Sequence, residues 1–148
     1  MLSIGGRRRL MTMARVEDFN VLSGAAEAGQ RVNIDAYDET GFVVDGVDIR
    51  GAIVCFGNST FRWNVSSIAD VTPDSLAIFE AIRPAPELLV LGCGSHMVPV
   101  SKEVRSFLRK HGIGLEPEST ANAAGTFNVL NEEGRKVAAA LLPATEIR

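Results

Sequence analysis

Two short, unbroken apolar runs constrain the architecture most. Glu87-Leu88-Leu89-Val90-Leu91 and Val137-Ala138-Ala139-Ala140-Leu141-Leu142 are bounded by Pro and Gly and bracket two helix-like segments. Continuous apolar runs of this length read as strands buried on both faces. Strands of that kind alternating with helices imply an α/β sheet with parallel neighbours. The order is strand (Glu87–Leu91), helix (Ser101–Lys110), strand (Ile113–Glu116), helix (Ser119–Asn131), strand (Lys136–Leu142), which supplies the crossovers a parallel sheet needs. Each helix carries its punctuation. The first starts at Ser101 and the second near Ser119 or Thr120, and Gly112 and Gly134 stand where C-terminal glycines belong.

Upstream, the periodicity shortens to that of β-strands. Val32 to Tyr37 alternates apolar and polar residues and predicts an edge strand. Phe42-Val43-Val44-Asp45-Gly46-Val47-Asp48-Ile49 predicts a hairpin, because Asp-Gly between β-branched residues favours a two-residue turn with positive φ. Ala52–Phe56 then reads as the central strand of a meander closed by Gly57-Asn58, and Phe61–Asn64 as one more short strand. Phe61 and Trp63 share one side of it, a core pair or an exposed anchor. Thr72-Pro73-Asp74 opens a helix with Leu76, Phe79 and Ile82 on its apolar face, stopped by Pro84 and Pro86.

Composition narrows the class. With 148 residues, 46% hydrophobic and 22% charged, the chain suits one globular domain able to bury roughly 70% of its unfolded surface. No apolar stretch reaches the roughly 18 residues needed to span a bilayer. Residues 1–15 carry Arg7, Arg8, Arg9 and Arg15 without an acid; the remainder holds 11 basic and 18 acidic residues, a net of −7. An acidic body argues against nucleic acid as partner. The basic start, residues 1–28, reads as a short mitochondrial transit segment ahead of a domain over 29–148, with an untargeted N-terminus as the alternative. Cys55 and Cys93 are too few for a disulfide framework, and without clustered His no zinc site is expected.

Candidate chemistry concentrates at Gly92-Cys93-Gly94-Ser95-His96, which follows a strand. Met97 stands where a dinucleotide loop has its third glycine, and residues intervene before Ser101, so no pyrophosphate is placed on the helix start. The loop reads as a tight turn whose amides are available to an anion or a partner. Cys93 as nucleophile with His96 as base would need an orienting third group that the sequence does not offer. Asn122, Thr126 and Asn128 lie on the last helix and are read either as local hydrogen-bonding residues or as lining a cleft with Gly92–Ser95. Arg135 follows that helix and either pairs with Glu132 or Glu133 or reaches a partner.

Several of these pieces together resemble a known family. They are Arg83-Pro84-x-Pro86-Glu87-Leu88-Leu89, Gly92-x-Gly94, His111-Gly112-Ile113, Asn122-Ala123-Ala124-x-Thr126-Phe127-Asn128-Val129-Leu130 and Glu133-Gly134-Arg135-x-Val137 through Pro143. The chain is similar over about Phe42 to Pro143 to the Mth938-like, or DUF498, family. That resemblance implies a three-layer α/β domain of α+β character, with a central mixed sheet, flanking helices and an N-terminal antiparallel hairpin layer. It also implies a non-enzymatic factor without cofactor, on the mitochondrial matrix side and associated with the inner membrane. Such a factor acts early in respiratory complex I assembly with a second assembly factor and hydrophilic complex I subunits. A small-molecule-binding module or enzyme, using a cleft at Gly92–Ser95 and Asn122–Asn128, or a cytoplasmic relative on the same scaffold, is the alternative.

Overall fold

The computed structural model describes residues 31–145, so the basic start expected over residues 1–28 lies outside the described residues. Among the described residues, eight strands form two sheets. β1 (Ile34–Tyr37), β2 (Gly41–Val44) and β3 (Val47–Arg50) make an antiparallel sheet in sequential order. β4 (Ala52–Phe56), β5 (Ser59–Trp63), β6 (Leu88–Gly92), β7 (Gly114–Glu118) and β8 (Val137–Leu141) make a mixed sheet ordered β5-β4-β8-β6-β7. Three α-helices lie between them: α1 (Ile78–Ala81), α2 (Lys102–Lys110) and α3 (Thr120–Glu132).

The hairpin forms as the sequence predicts. Asp45 and Gly46 have φ of 50° and 79°, and Val44 pairs with Val47 across the two-residue turn. Of the expected meander only the half closed by Gly57-Asn58 forms. Ala52–Phe56 pairs antiparallel with β5 and β8, not with β3. The chain leaves the first sheet at Gly51, whose φ of 98° is left-handed. Both faces of β4 are apolar and need two cores: Ala52 and Val54 enter one, Ile53 and Cys55 the other.

The same alternation runs through the middle of the five-stranded sheet. Leu89, Leu91, Ala138 and Ala140 face a core with Phe61, Trp63, Leu76, Phe79, Val104 and Leu108. Val90, Val137, Ala139 and Leu141 face a second core with Phe42, Ile49, Ala123 and Phe127. The result is three layers: α1 and α2, the five-stranded sheet, then α3 with the three-stranded sheet. Phe61 and Trp63 are core residues, 4% and 6% exposed.

Two boundaries differ from expectation. The helix predicted from Thr72 is broken into a 3-10 turn at Asp74–Leu76 and the short α1, although Leu76, Phe79 and Ile82 are buried as predicted. Trp63 Nε1 donates to the Ser75 carbonyl at 2.8 Å, competing for an acceptor that a regular helix would use four residues on. β7 runs to Glu118 and includes Pro117, which only an edge strand tolerates.

Topology then positions the candidate loop. From β6 the chain crosses to β7 through α2, and from β7 it returns over β6 to β8 through α3. Right-handed crossovers in opposite directions place α2 and α3 on opposite faces of the sheet. The connections leaving β6 and β7 therefore diverge, opening a crevice at the carboxyl ends of those two strands, where open α/β sheets bind ligands.

Candidate functional site

Gly92 ends β6 at that crevice, and the start of α3 fits against it. A Cβ on Gly92 would stand 2.8 Å from Leu141 Cδ2 and 3.2 Å from Thr120 Cα, so glycine is needed for the close approach of helix to strand. Gly94 takes a φ of 103°. Thr120, fully buried, organises the turn. Its Oγ1 donates to the Leu142 carbonyl at 2.6 Å and accepts from the Gly94 amide at 3.0 Å, while its own amide donates to the Gly94 carbonyl at 2.8 Å.

The loop amides expected to be available to an anion are committed within the fold. Cys93 N donates to the Glu118 carbonyl at 2.9 Å, Gly94 N to Thr120, and Ser95 N to the Thr145 carbonyl at 3.2 Å. The start of α3 is satisfied in the same way, because Ser119 Oγ accepts from Asn122 N at 3.3 Å. The chain after β8 lies over the loop, with the Thr145 carbonyl 3.2 Å from where a Gly94 Cβ would stand. It continues to the β1–β2 turn, where Ala144 N donates to the Asp38 carbonyl at 3.0 Å. The loop at this switch point is thus tied to β7, α3 and the segment after β8 by the chain's own hydrogen bonds.

Cys93 and His96 do not form a reactive pair in this arrangement. Cys93 is 2% exposed, points into the first core, and its sulfur lies 3.9 Å from the Leu91 carbonyl and 4.0 Å from that of Val98. Burial pushes its thiol pKa up, away from the thiolate a nucleophile requires. His96 is exposed on the outer part of the loop.

The α3 residues separate. Thr126 Oγ1 donates to the Glu118 carboxylate at 3.1 Å, next to the Gly92–Ser95 loop. Asn122 is exposed at the first turn. Asn128 does not line that cleft: its side chain reaches Ile34 on β1, with 2.9 Å bonds to both the amide and the carbonyl. Arg135 lies beyond the other end of α3, exposed, and makes no ion pair with Glu132 or Glu133. Gly92, Gly94, Ser95 and Thr126 therefore share one end of the sheet, while Asn128 and Arg135 belong elsewhere.

Two residues outside the sequence-derived set carry much of the arrangement. One is Thr120; the other is Asn131, 1% exposed, whose Nδ2 donates to the carbonyls of Val32 and Gly57 at 3.2 and 3.0 Å. Both stand at apolar positions of the α3 pattern, and a polar residue on a buried helix face is the signal that marks such a tie.

Fold and site together define a class: a three-layer α/β domain whose switch-point loop is hydrogen-bonded to its own chain. The family model described as a protein of unknown function (DUF498/DUF598) matches residues 34–142, and the chain belongs to that family. Human NADH dehydrogenase [ubiquinone] 1 alpha subcomplex assembly factor 3 is 38% identical over 117 residues, covering 79% of this chain and 64% of that protein. The chain thus spans just under two thirds of the length of that relative. A crystal structure of a Bordetella parapertussis protein matches with a TM-score of 0.72 at 31% identity, covering 79% of this chain and 99% of that one. A solution structure of a Bordetella pertussis protein described as a Mth938-like domain matches with a TM-score of 0.65 at 28% identity over 82% of this chain and 90% of that one. The Mth938-like fold expected from the sequence is the fold observed.

Proposed function

We propose that this chain is a non-enzymatic assembly factor for mitochondrial respiratory complex I that works through protein contacts. The observation that carries the reading is the switch-point loop whose amides bond within the chain. At the place where an open α/β sheet would hold a small ligand, the amides that could meet it are bonded among Cys93, Gly94, Ser95, Glu118, Thr120 and Thr145. Its outer surface is then what remains to act. Support also comes from relatives named as assembly factor 3 of NADH dehydrogenase, 38% and 37% identical in human and rat.

In this reading the factor acts early in assembly, on the matrix side, alongside a second assembly factor and hydrophilic complex I subunits. Among the described residues no helix is long and apolar enough to cross a membrane, so association with the inner membrane would be peripheral. The segment before residue 29 would direct import. The test is affinity purification of a tagged copy from mitochondria. Recovery of complex I subunits with another assembly factor supports the reading; a cytosolic copy without such partners contradicts it.

A second reading, a ligand-binding module at the same crevice, draws on one observation. Ser95 Oγ is buried without a hydrogen-bond partner, the mark of a polar atom awaiting one. A small molecule that raises the melting temperature and perturbs Ser95 would favour it.

A further inference from the structure

Charge is unevenly spread over the described residues. α2 carries Lys102, Arg105, Arg109 and Lys110 against Glu103, a net of +3, while the rest of residues 31–145 holds six basic and 13 acidic side chains, a net of −7. Helical spacing sets Val104 and Leu108 inward, 0% and 1% exposed, and turns Lys102, Arg105, Ser106 and Arg109 to the opposite arc, with Lys110 beside it. All four cations are exposed. Among the described residues none of them forms an ion pair; Arg50 takes both pairs that do form, with Asp38 and Asp48.

Apart from Glu103, which lies on the Lys110 side of the same helix, neighbouring acids face away. Leu115 of β7 packs into the core beneath α2, so alternation sends Glu116 and Glu118 to the other side of the sheet, where Glu118 binds Thr126 of α3. Arg105 Nε donates to the Val100 carbonyl at 3.3 Å. That bond holds the side chain and leaves its two terminal nitrogens without a bond among the described residues. Met97, 58% exposed, lies in the loop leading to α2.

We propose that this outward face of α2, built from Lys102, Arg105, Arg109 and Lys110, docks an acidic segment of a partner protein. It rests on the docking role proposed above and gives that role a surface and a partner chemistry. Guanidinium groups match carboxylates in a bidentate fork, and unpaired cations on a rigid helix are arranged to receive them without reorganisation. An anionic membrane fits less well. A surface-bound helix buries its apolar face in lipid, whereas Val104 and Leu108 are already committed to the core. The net −7 over the remainder would also be repelled by anionic headgroups.

The test titrates the full chain with a short polyglutamate peptide, followed by amide NMR. In parallel, the protein is sedimented with phosphatidylcholine vesicles with and without phosphatidylglycerol. The expected result is peptide-induced shifts centred on Lys102–Lys110, no vesicle retention that depends on these cations, and peptide binding weakened about tenfold or more by K102E/R105E/R109E. Unchanged melting checks the fold of that variant, and R105Q/R109Q serves as the milder version. Shifts centred elsewhere, insensitivity to charge reversal, or retention on anionic vesicles that reversal abolishes would overturn the proposal. Peptide binding at α2 in a chain whose loss leaves complex I untouched would support this face and overturn the assembly role.

Discussion

Asn128 of α3 brackets Ile34 of β1: Oδ1 accepts from the Ile34 amide and Nδ2 donates to the Ile34 carbonyl, each at 2.9 Å. A helix side chain here replaces a strand partner at the edge of the three-stranded sheet. The bond joins two elements of the same layer across a sequence separation of 94 residues. Removing it leaves two backbone groups unpaired in a part-buried place. Asn128→Ala should therefore cost about 1–3 kcal/mol and speed hydrogen exchange at Ile34 more than at Leu89. Equal exchange changes at both sites would show that Asn128 does not act locally.

Thr120 ties three strand ends together through one hydroxyl. Thr120→Val keeps the shape and deletes both hydroxyl bonds, leaving Gly94 N and the Leu142 carbonyl without that partner. The expected loss is about 1–3 kcal/mol in denaturant unfolding, with Thr120→Ser close to wild type. A neutral Thr120→Val would mean that the loop is held by something else.

Two glycines should respond in opposite directions. Gly125 lies mid-helix in α3 with nothing within 4 Å of where a Cβ would stand, so Gly125→Ala should stabilise by about 0.5–1 kcal/mol. Gly92→Ala meets Leu141 and the Thr120 backbone and should cost about 1–3 kcal/mol. Thermal melts of both variants check the pair.

Thiol reactivity should be low in the native state. Cys55 is fully buried and its pKa is pushed up to about 12 by desolvation, and burial also raises that of Cys93. Maleimide or disulfide reagents near neutral pH should label both only as fast as the fold opens. Rapid native labelling of Cys93 would revive it as a nucleophile.

Acid should loosen the β1–β2 turn. The Thr40 amide, at 2.8 Å, is the largest influence holding the Asp38 carboxyl below its usual range, helped by Arg50 and the Gly41 amide. A depressed folded value means the contribution is complete above the ordinary carboxylate pKa of about 4 and fades as pH falls through the lower folded one. Asp38→Asn should flatten this part of the acid limb in urea midpoints; an unchanged slope would contradict it.

How much is legible in the residues follows from what each signal depends on. The parallel strands, both long helices and the Asp45-Gly46 turn are readable, because apolar runs, caps and positive-φ turns are local in sequence. The partner of β4 is not, since Gly51 diverts the chain and Ala139 and Ala140 supply the pairing from far away. The Gly92–Gly94 loop is legible as a tight turn, but its closure by Glu118, Thr120 and Thr145 requires distant segments to meet. Asn128 stands out as polar on a good helix, without a clue in the sequence that β1 is its target.

The most direct measurement of the assembly role is native-gel quantification of complex I after depleting this protein, with rescue by the full chain. The proposal predicts a selective fall in complex I, restored by wild type and equally by His96→Ala, with other respiratory complexes near normal. Normal complex I after depletion, or failure of His96→Ala to rescue despite wild-type folding, would contradict it.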